Sequence, residues 1–342
     1  MSGVRICGMF DMRAPDWATP RQALYAAALD MIAYADEIGV PRINLMEHHG
    51  SDDGYLPCPF VLGGAAAART NSCRLSLGAV VLPLHDPAKI AEQIAVLDIM
   101  SGGRLEIIFG AGYVPSEFAA FGVSLKERGK RMDEGIDIVL RALHGERFTA
   151  PDGRPVFVRP LPIQRPEDII SVGGGVEASA RRAARFGLGF VPTRADLLAV
   201  YDAECRKLGR TPGRIGMPGP PMNAHLSEDP DATWVKIKPH VAHVVQAYAK
   251  WADEEPGSHS PFRGLHDVEP LRQAGLFVVW TPDELIAHAA RMEPRATISM
   301  APLLGGLDPA EGWKSLKLLG EAMPRLAQIE HFTPVRAAGL PC

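Results

Sequence analysis

The sequence predicts an α/β protein whose whole length, residues 1–342, folds as a single (β/α)8 TIM barrel with insertion loops at its C-terminal face. Short apolar runs alternate with amphipathic helical segments about eight times, which is typical of a closed parallel barrel. A doubly wound dinucleotide fold is less consistent, because residues 11–15 (DMRAP) stand where its G-x-G-x-x-G fingerprint belongs. Barrels of this kind commonly reach this length as one domain.

The first half of the chain carries the clearest alternation. A helix over 21–38 ends at Gly39, a residue type that often terminates helices. Another helix begins with Asp86 as its N-cap and Pro87 as its first residue, and it ends at Gly102-Gly103. The strands predicted here are 4–10, 42–47, 74–82 and 105–110, and the other helices are 60–69 and one marked by the apolar stripe 132–143.

The second half repeats the pattern with shorter strands. Its predicted strands are 169–172, 189–191, one beginning at 215–217, and 297–301, and its helices are 177–186, 194–208, 233–251, 284–292 and 311–323. Residues 145–165 hold a Pro-Asp-Gly turn between two short β-like runs, which predicts a hairpin. The polar stretch 253–272 contains proline and glycine and predicts a long loop that could serve as a lid.

Composition excludes several classes of function. The net charge is −4 and basic clusters are short, so no nucleic-acid-binding face is expected. No apolar run approaches 18 residues, so no membrane span is predicted, and no apolar leader follows the N-terminus. The five cysteines are scattered without a C-x-x-C pair, which argues against a disulfide framework or a zinc site. These observations predict a cytoplasmic protein.

The triplet Glu47-His48-His49 is the strongest candidate for chemistry, and its residues are predicted as catalytic. It ends the second predicted strand, and active sites of this fold gather at such strand ends. Because side chains alternate along an extended chain, one histidine is expected to face the cavity and the other to support a loop. Imidazole suits proton transfer near neutral pH, although a histidine at a strand end can equally be packing. No third ligand with suitable spacing accompanies the triplet, so no metal site is predicted.

Glycine clusters follow two other predicted strands. Residues 173–175 (GGG) precede a helix and could cradle a phosphate, because backbone N–H groups can approach an anion there and the helix presents its positive end. Ser179, one turn into that helix, could add its hydroxyl. Residues 110–112 (GAG) could let a flat ligand lie against the backbone. Both clusters can also be explained by tight turns or close packing alone.

Several short strings together resemble the bacterial-luciferase-like flavin-dependent oxidoreductases. The resemblance covers nearly the whole chain and is strongest over 43–143 and 278–326. The strings are 44–50 (NLMEHHG), 80–87 (VVLPLHDP), 92–93 (EQ), 97–98 (LD), 101–105 (SGGRL), 117–122 (EFAAFG), 281–284 (TPDE) and 303–307 (LLGGL). Each string alone is weak, whereas their order and spacing are specific to the family.

The resemblance implies a reduced flavin, FMN, at the mouth of the barrel. It places His48 at the position of the family's catalytic histidine, beside the reactive edge of the flavin. The pair Gly78-Ala79 matches a position where a cis peptide often lies under the flavin ring. The implied cofactor-binding positions are Gly78, Ala79, Gly110, Ala111, Gly174, Gly175, Val176 and Ser179.

Two positions depart from the family pattern. The family often has an arginine that meets the flavin phosphate after the fourth strand, and this chain has Ala111 there. Either phosphate recognition differs here or another cation supplies the charge. The thiol that lies near the flavin in luciferase is matched by Gly110, which argues against luciferase chemistry itself.

The resemblance therefore predicts a flavin-dependent monooxygenase that uses reduced FMN and dioxygen to oxidise a hydrophobic small-molecule substrate. A separate flavin reductase would supply the reduced FMN, and His48 would act as acid or base. Hydride transfer with a deazaflavin cofactor stays open as an alternative. A non-catalytic flavin-binding relative is a second alternative, against which both histidines and the glycine turn argue. Family members are commonly dimeric or larger, so a homodimer or larger homo-oligomer is expected.

Overall fold

Strands and helices alternate along the chain. The computed structural model describes residues 4–216, 220–254, 262–265, 267–293 and 296–332. The strands are β1 (Arg5–Phe10), β2 (Arg42–Leu45), β3 (Arg74–Val81), β4 (Leu105–Gly110), β5 (Phe148–Thr149), β6 (Pro155–Val156), β7 (Ile170–Gly174), β8 (Gly189–Pro192), β9 (Asn223–Leu226), β10 (Phe277–Trp280) and β11 (Thr297–Met300).

The helices pack around these strands. They are α1 (Arg21–Glu37), α2 (Pro59–Ala67), α3 (Pro87–Met100), α4 (Pro115–Ala120), α5 (Arg128–Leu143), α6 (Pro166–Ile169), α7 (Glu177–Phe186), α8 (Leu197–Lys207), α9 (Pro230–Glu254), α10 (Glu269–Gln273), α11 (Pro282–Ala289) and α12 (Pro309–Leu326). None of these helices combines the length and the apolar character needed to cross a membrane.

Nine strands form one parallel sheet in the order β10-β9-β11-β1-β2-β3-β4-β7-β8. Each strand is joined to its neighbour by parallel pairing, as in the register that sets Gly8 of β1 beside Ile43 of β2. Among the described residues no pairing joins the two ends of the sheet, β8 and β10, although Ile215 forms one further bridge to Phe190 of β8. The predicted α/β barrel architecture is confirmed.

A buried carboxylate holds the N-terminal end of the barrel together. Glu106 on β4 forms ion pairs with Arg42 of β2 at 2.7 Å, and with Arg74 of β3 and Arg214 beyond β8 at 2.5 Å each. Burial alone would raise the pKa of Glu106, but the three arginines lower it to about 2. This cluster links strands from both halves of the chain at the face opposite the candidate site, where barrels place stabilising rather than catalytic residues.

Local signals explain where several helices begin and end. The Asp86 carboxylate accepts hydrogen bonds from the backbone N–H groups of Ala88 and Lys89, so the predicted N-cap of α3 is confirmed. α7 runs over the predicted range and ends at Gly187, whose positive φ of 70° suits glycine. α11 begins with a capping box between Thr281 and Glu284.

The two predicted insertions have different outcomes. Residues 145–165 do contain a hairpin, because β5 and β6 pair antiparallel. The predicted loop 253–272 includes the start of α10, and its residues 255–261 and 266 lie outside the described residues. Whether the rest of that stretch acts as a lid stays a prediction.

The strand predictions in the second half need correction. The strand expected to begin at 215–217 is only the single bridge at Ile215, and residue 217 lies outside the described residues. β9 and β10 were not predicted. β9 (NAHL) is fully buried yet half polar, so it lacks the apolar run that signals an interior strand. Its Asn223 is accommodated because the side-chain oxygen accepts a hydrogen bond from the backbone of Ala301.

Candidate active site

The candidate site lies where the loops after four neighbouring strands meet. In a parallel sheet the C-terminal ends of all strands lie on one edge, so residues distant in sequence come together there. Arg13 follows β1, Glu47-His48-His49 follows β2, His85 follows β3, and Glu117 on α4 follows β4. The long helix α9 packs over this edge, since its His243 bonds to Asp53 of the loop after β2.

His48 is held by a buried carboxylate. Its Nδ1 lies 2.8 Å from Oε1 of Glu117, which also accepts the backbone N–H of His49 at 2.9 Å. When Nδ1 donates to Glu117, Nε2 is the ring nitrogen left to exchange a proton. Burial lowers the pKa of His48 below its ordinary value, and the hydrogen bond with Glu117 only partly opposes that effect. The imidazole is therefore neutral near pH 7 and can accept a proton.

Four rings, here called the aromatic cluster, surround the His48 imidazole. Trp251 stacks on it with ring centroids 4.4 Å apart and an interplanar angle of 19°, and Tyr55 lies 4.7 Å away. Tyr113 and Tyr248 meet the imidazole edge-on, each at 6.0 Å. Trp251 and Tyr248 belong to α9, so this helix covers the catalytic candidate. His48 is only 8% exposed as a result, which limits the access of bulk water to its ring.

Glu47 and His49 belong to a separate group, the imidazole network, whose third member is His85. Oε1 of Glu47 is hydrogen-bonded to Nε2 of His49 at 2.7 Å and to Nε2 of His85 at 2.5 Å, while Oε2 accepts the backbone N–H of Val81 at 2.9 Å. Burial alone would raise the pKa of Glu47, but the two histidines lower it to about 2. The carboxylate thus joins the ends of β2 and β3, and its hydrogen bonds position the neighbouring loops.

The imidazole network also has the composition of a metal site. The sequence offered no third ligand beside Glu47 and His49, and the structure supplies one in His85, with all three ligand atoms within 4.8 Å of one another. The separations of 2.5 and 2.7 Å match hydrogen bonds. Ligand atoms around a tetrahedral Zn²⁺ would lie about 3.3 Å apart, given zinc–ligand bonds near 2.0–2.1 Å. The geometry therefore fits a carboxylate bound by two imidazole N–H groups.

The strands beneath this edge approach one another closely. The peptide bond between Gly78 and Ala79 is cis, as the resemblance implied. A Cβ on Gly78 would lie 2.7 Å from the Ile108 side chain, and a Cβ on Gly110 would lie 2.9 Å from that of Ala79. Both glycines are thus required by packing, and they leave bare backbone against which a planar ring could lie. Ala111 is partly buried against the core and offers no charge.

The glycine turn, residues 173–175, leads from β7 into α7. Gly174 has a φ of 155°, and a Cβ there would collide with the side chain of Ser179. A Cβ on Gly175 would lie 2.5 Å from the hydroxyl of Thr193. Val176 is the N-cap residue of α7, and its side chain caps none of the helix N–H groups. The turn thus has no room for a Cβ at either glycine, and its position before the positive end of α7 suits a flavin phosphate.

Among the site residues predicted from sequence, the structure places Ala79 against Gly110 and Ser179 against Gly174, and it adds several residues that were missed. Glu117 and His85 occur in the sequence only as members of the family strings 117–122 and 80–87. Arg13 and the aromatic residues of α9 had no local signal, because they reach His48 from elements far away along the chain. Proximity on the C-terminal edge of the sheet was the only general clue to them.

Comparisons with known proteins show the family of this chain. The sequence profile of luciferase-like monooxygenases matches residues 7–298. N-acetyl-S-alkylcysteine monooxygenase from Bacillus subtilis is 35% identical over 160 residues, which are 46% of this chain and 47% of that protein. The chain spans between about a third and about half of the length of the curated relatives it matches.

Solved structures show the same fold over a larger share of the chain. Monooxygenase RslO1 from Streptomyces bottropensis is 27% identical, with 94% of this chain and 99% of that chain covered and a TM-score of 0.76. The oxygenating constituent of 3,6-diketocamphane monooxygenase from Pseudomonas putida, in complex with FMN, is 20% identical, with 94% and 98% covered and a TM-score of 0.67. An F420-dependent secondary alcohol dehydrogenase is 14% identical, with 94% and 98% covered and a TM-score of 0.66. The chain belongs to the luciferase-like monooxygenase family.

Proposed function

We propose that the protein is a flavin-dependent monooxygenase that uses reduced FMN and dioxygen to oxidise a hydrophobic organic substrate. The observation that carries the proposal is the His48–Glu117 pair, buried beneath α9 at the C-terminal edge of the sheet. A neutral imidazole, oriented by a carboxylate and screened from water, is suited to move a proton during oxygen chemistry. The family and its FMN-binding structural neighbour support the choice of reaction.

Different residues of the site would have different roles in the reaction. Nε2 of His48 would accept or donate the proton, and Glu117 would hold the ring in the required tautomer. The aromatic cluster would exclude water and pack against an apolar substrate. Glu47 and His49 would position the loops after β2 and β3 rather than touch the substrate, because their polar atoms are bonded to each other, to His85 and to Val81.

The glycine turn would hold the phosphate of the flavin, with Gly174, Gly175, Val176 and Ser179 around it. When bound, a reduced flavin supplies the electrons that activate dioxygen. Because position 111 is alanine, the arginine that often binds the flavin phosphate in this family is absent from that position. Arg194 is our candidate for the substitute, since it follows Thr193, whose hydroxyl lies against Gly175. Its guanidinium is half-exposed and pairs with Asp196, so it is accessible to an anion.

Two alternative functions are a deazaflavin-dependent hydride transfer and a non-catalytic flavin-binding role. The fold is shared with an F420-dependent dehydrogenase, and the absence of an arginine at Ala111 favours a deazaflavin slightly. A non-catalytic flavin-binding relative would have no need of a buried, carboxylate-oriented imidazole, and the His48–Glu117 pair therefore argues against it.

Anaerobic equilibrium titration tests the choice of cofactor. The protein is expected to bind reduced FMN more tightly than oxidised FMN, because an oxygenase of a two-component system must capture reduced flavin released by its reductase. F420 is titrated under the same conditions. If the protein binds F420 and binds FMN in neither state, the monooxygenase proposal is wrong and the deazaflavin-dependent function is supported.

Further features belong to the same proposal. Residues 1–342 would form a single luciferase-like domain, and a separate flavin reductase would be the partner that supplies reduced FMN. The protein would assemble as a homodimer or larger homo-oligomer. Sedimentation of the purified protein, alone and with a reductase, measures both kinds of association.

A further inference from the structure

Arg13 is a fully buried cation with unused hydrogen-bond donors. Its Nη1 donates to Oδ2 of Asp53 at 2.8 Å, and its Nε lies 3.7 Å from Oδ2 of Asp11. Neither Nε nor Nη2 has a hydrogen-bond acceptor among the described residues. Native structures rarely leave buried N–H groups unpaired, because their desolvation is then uncompensated, so each such group calls for an explanation.

The backbone beside Arg13 is also held in an unfavourable conformation. Met12, a buried residue other than glycine, has a φ of 59°. Left-handed backbone is disfavoured for such residues, and where it persists it is concentrated at ligand-binding and catalytic sites. Two energetically unfavourable features thus occur at adjacent residues, directly after β1 at the edge of the sheet that carries His48.

Arg13 and His48 border the same aromatic rings. The Arg13 guanidinium lies 4.1 Å from the centroid of Tyr55, 5.0 Å from Tyr248 and 5.1 Å from Trp251. All three rings also contact the His48 imidazole. Arg13 and His48 therefore contact the same three aromatic rings.

The charges around Arg13 restrict what it can bind. Among the described residues, Asp53 is the one carboxylate in direct hydrogen-bond contact with the guanidinium, and it is shared with His243 at 2.7 Å and with Ser51. Burial raises the pKa of Asp11 to about 6, so its carboxyl is mostly ionised at pH 7. Asp11 and Asp53 together therefore already offset the charge of the one guanidinium. A neutral acceptor oxygen fits this group, whereas a further anion such as a phosphate would not.

We propose that Arg13 recognises the substrate: its Nε and Nη2 bind a carbonyl or phenolic oxygen of a planar conjugated molecule whose rings pack against Tyr55, Tyr248 and Trp251. The inference rests on the proposed function, because it gives the substrate class of the same site. Arg13 would therefore favour a conjugated substrate that bears an oxygen over a pure hydrocarbon. Cation–π contacts with the three rings hold the guanidinium in place but leave its in-plane donors free for the oxygen.

The test compares two probes of similar size, 2-naphthol and naphthalene, by equilibrium dialysis. Wild-type protein is expected to prefer 2-naphthol by at least about tenfold, the value of a hydrogen bond to a charged group. Arg13→Lys keeps the charge but loses the planar fork, so the preference should fall to about threefold or less while naphthalene still binds. Arg69→Lys, at an exposed arginine paired with Asp30, is the matched control and should keep the wild-type preference.

Lack of a wild-type preference for 2-naphthol, or an undiminished preference in folded Arg13→Lys, would each overturn the proposal. FMN affinity is measured in parallel. A preserved naphthol preference without FMN binding would refute the proposed function and leave the Arg13 site standing.

Discussion

The two halves of the candidate site are built on opposite principles. Around His48 the site consists of side chains from the loop after β2, from α4 and from α9, and both Glu117 and Trp251 contact the imidazole. At the glycine turn the backbone itself is presented, because a Cβ at Gly174 or Gly175 would collide with the side chain of Ser179 or Thr193. The first half is proposed to move protons, and the second is proposed to receive an anion. Variants in the two halves should therefore damage chemistry and binding separately.

The largest expected effect is on flavin binding at the glycine turn. Gly174→Asp would put a side chain and a negative charge where the phosphate is proposed to lie, and FMN affinity should fall by at least about 100-fold. Gly209→Asp, at an exposed glycine with a φ of 64° and open space beside it, controls for the added negative charge. Circular dichroism checks the fold of both variants. A folded Gly174→Asp protein that binds FMN normally would place the phosphate elsewhere.

The next effect concerns turnover at His48. His48→Ala should keep most of the flavin affinity, because the glycine turn is untouched, and should lose turnover by roughly 10²–10⁴-fold, as expected when a positioned acid–base group is removed. His49→Ala should be milder in turnover and worse in thermal midpoint, because it removes the hydrogen bond that Nε2 of His49 donates to the buried Glu47 carboxylate. Equal losses of stability with unchanged turnover in both variants would assign both histidines to packing.

The smallest effect is a pH-dependent loss of stability at Glu47. The pKa of Glu47 is lowered from 4.5 to about 2 in the folded protein, so its stabilisation is present above pH 4.5 and is lost as pH falls toward 2. Glu47→Gln should lower the thermal midpoint by roughly 2–5 °C at pH 7, and this difference from wild type should shrink between pH 4.5 and pH 3.

The control for Glu47 is Glu146→Gln, at an exposed carboxylate paired with Arg141, whose substitution should change the midpoint little. Calorimetric scans at several pH values provide the comparison. A difference between Glu47→Gln and wild type that stays constant from pH 7 to pH 3 would show that the charge of Glu47 contributes nothing to folding.

Local patterns in the sequence predicted much of the fold. The cap at Asp86 and the whole of α7 follow from signals within a few residues, and both are observed. β9 was missed because two of its four residues are polar, whereas β10 has an apolar run, FVVW, that was not assigned to a strand. Partners from other elements hold β9 in place: the Asn223 side chain accepts the backbone N–H of Ala301, and the Ser315 hydroxyl accepts the backbone N–H of Leu226.

Contacts between residues far apart in sequence were also what the sequence failed to predict in the candidate site. The glycine turn was predictable because a turn and the following helix are contiguous in sequence. Glu117 lies 69 residues from His48, and His85 lies 38 residues from Glu47. No periodicity connects such positions, and only the fold brings them together. The sequence therefore predicted the catalytic triplet Glu47-His48-His49 as one unit, whereas the structure divides it between two carboxylate–imidazole groups.

Coupling of flavin oxidation to product formation tests the central role of His48 most directly. The measurement is the yield of product and of hydrogen peroxide per reduced FMN consumed, for wild type, His48→Ala and His49→Ala side by side. Product should account for most of the flavin oxidised by wild type and His49→Ala, whereas His48→Ala should release mainly peroxide. A folded, flavin-binding His48→Ala protein with near-normal coupled turnover would contradict the acid–base role of this residue.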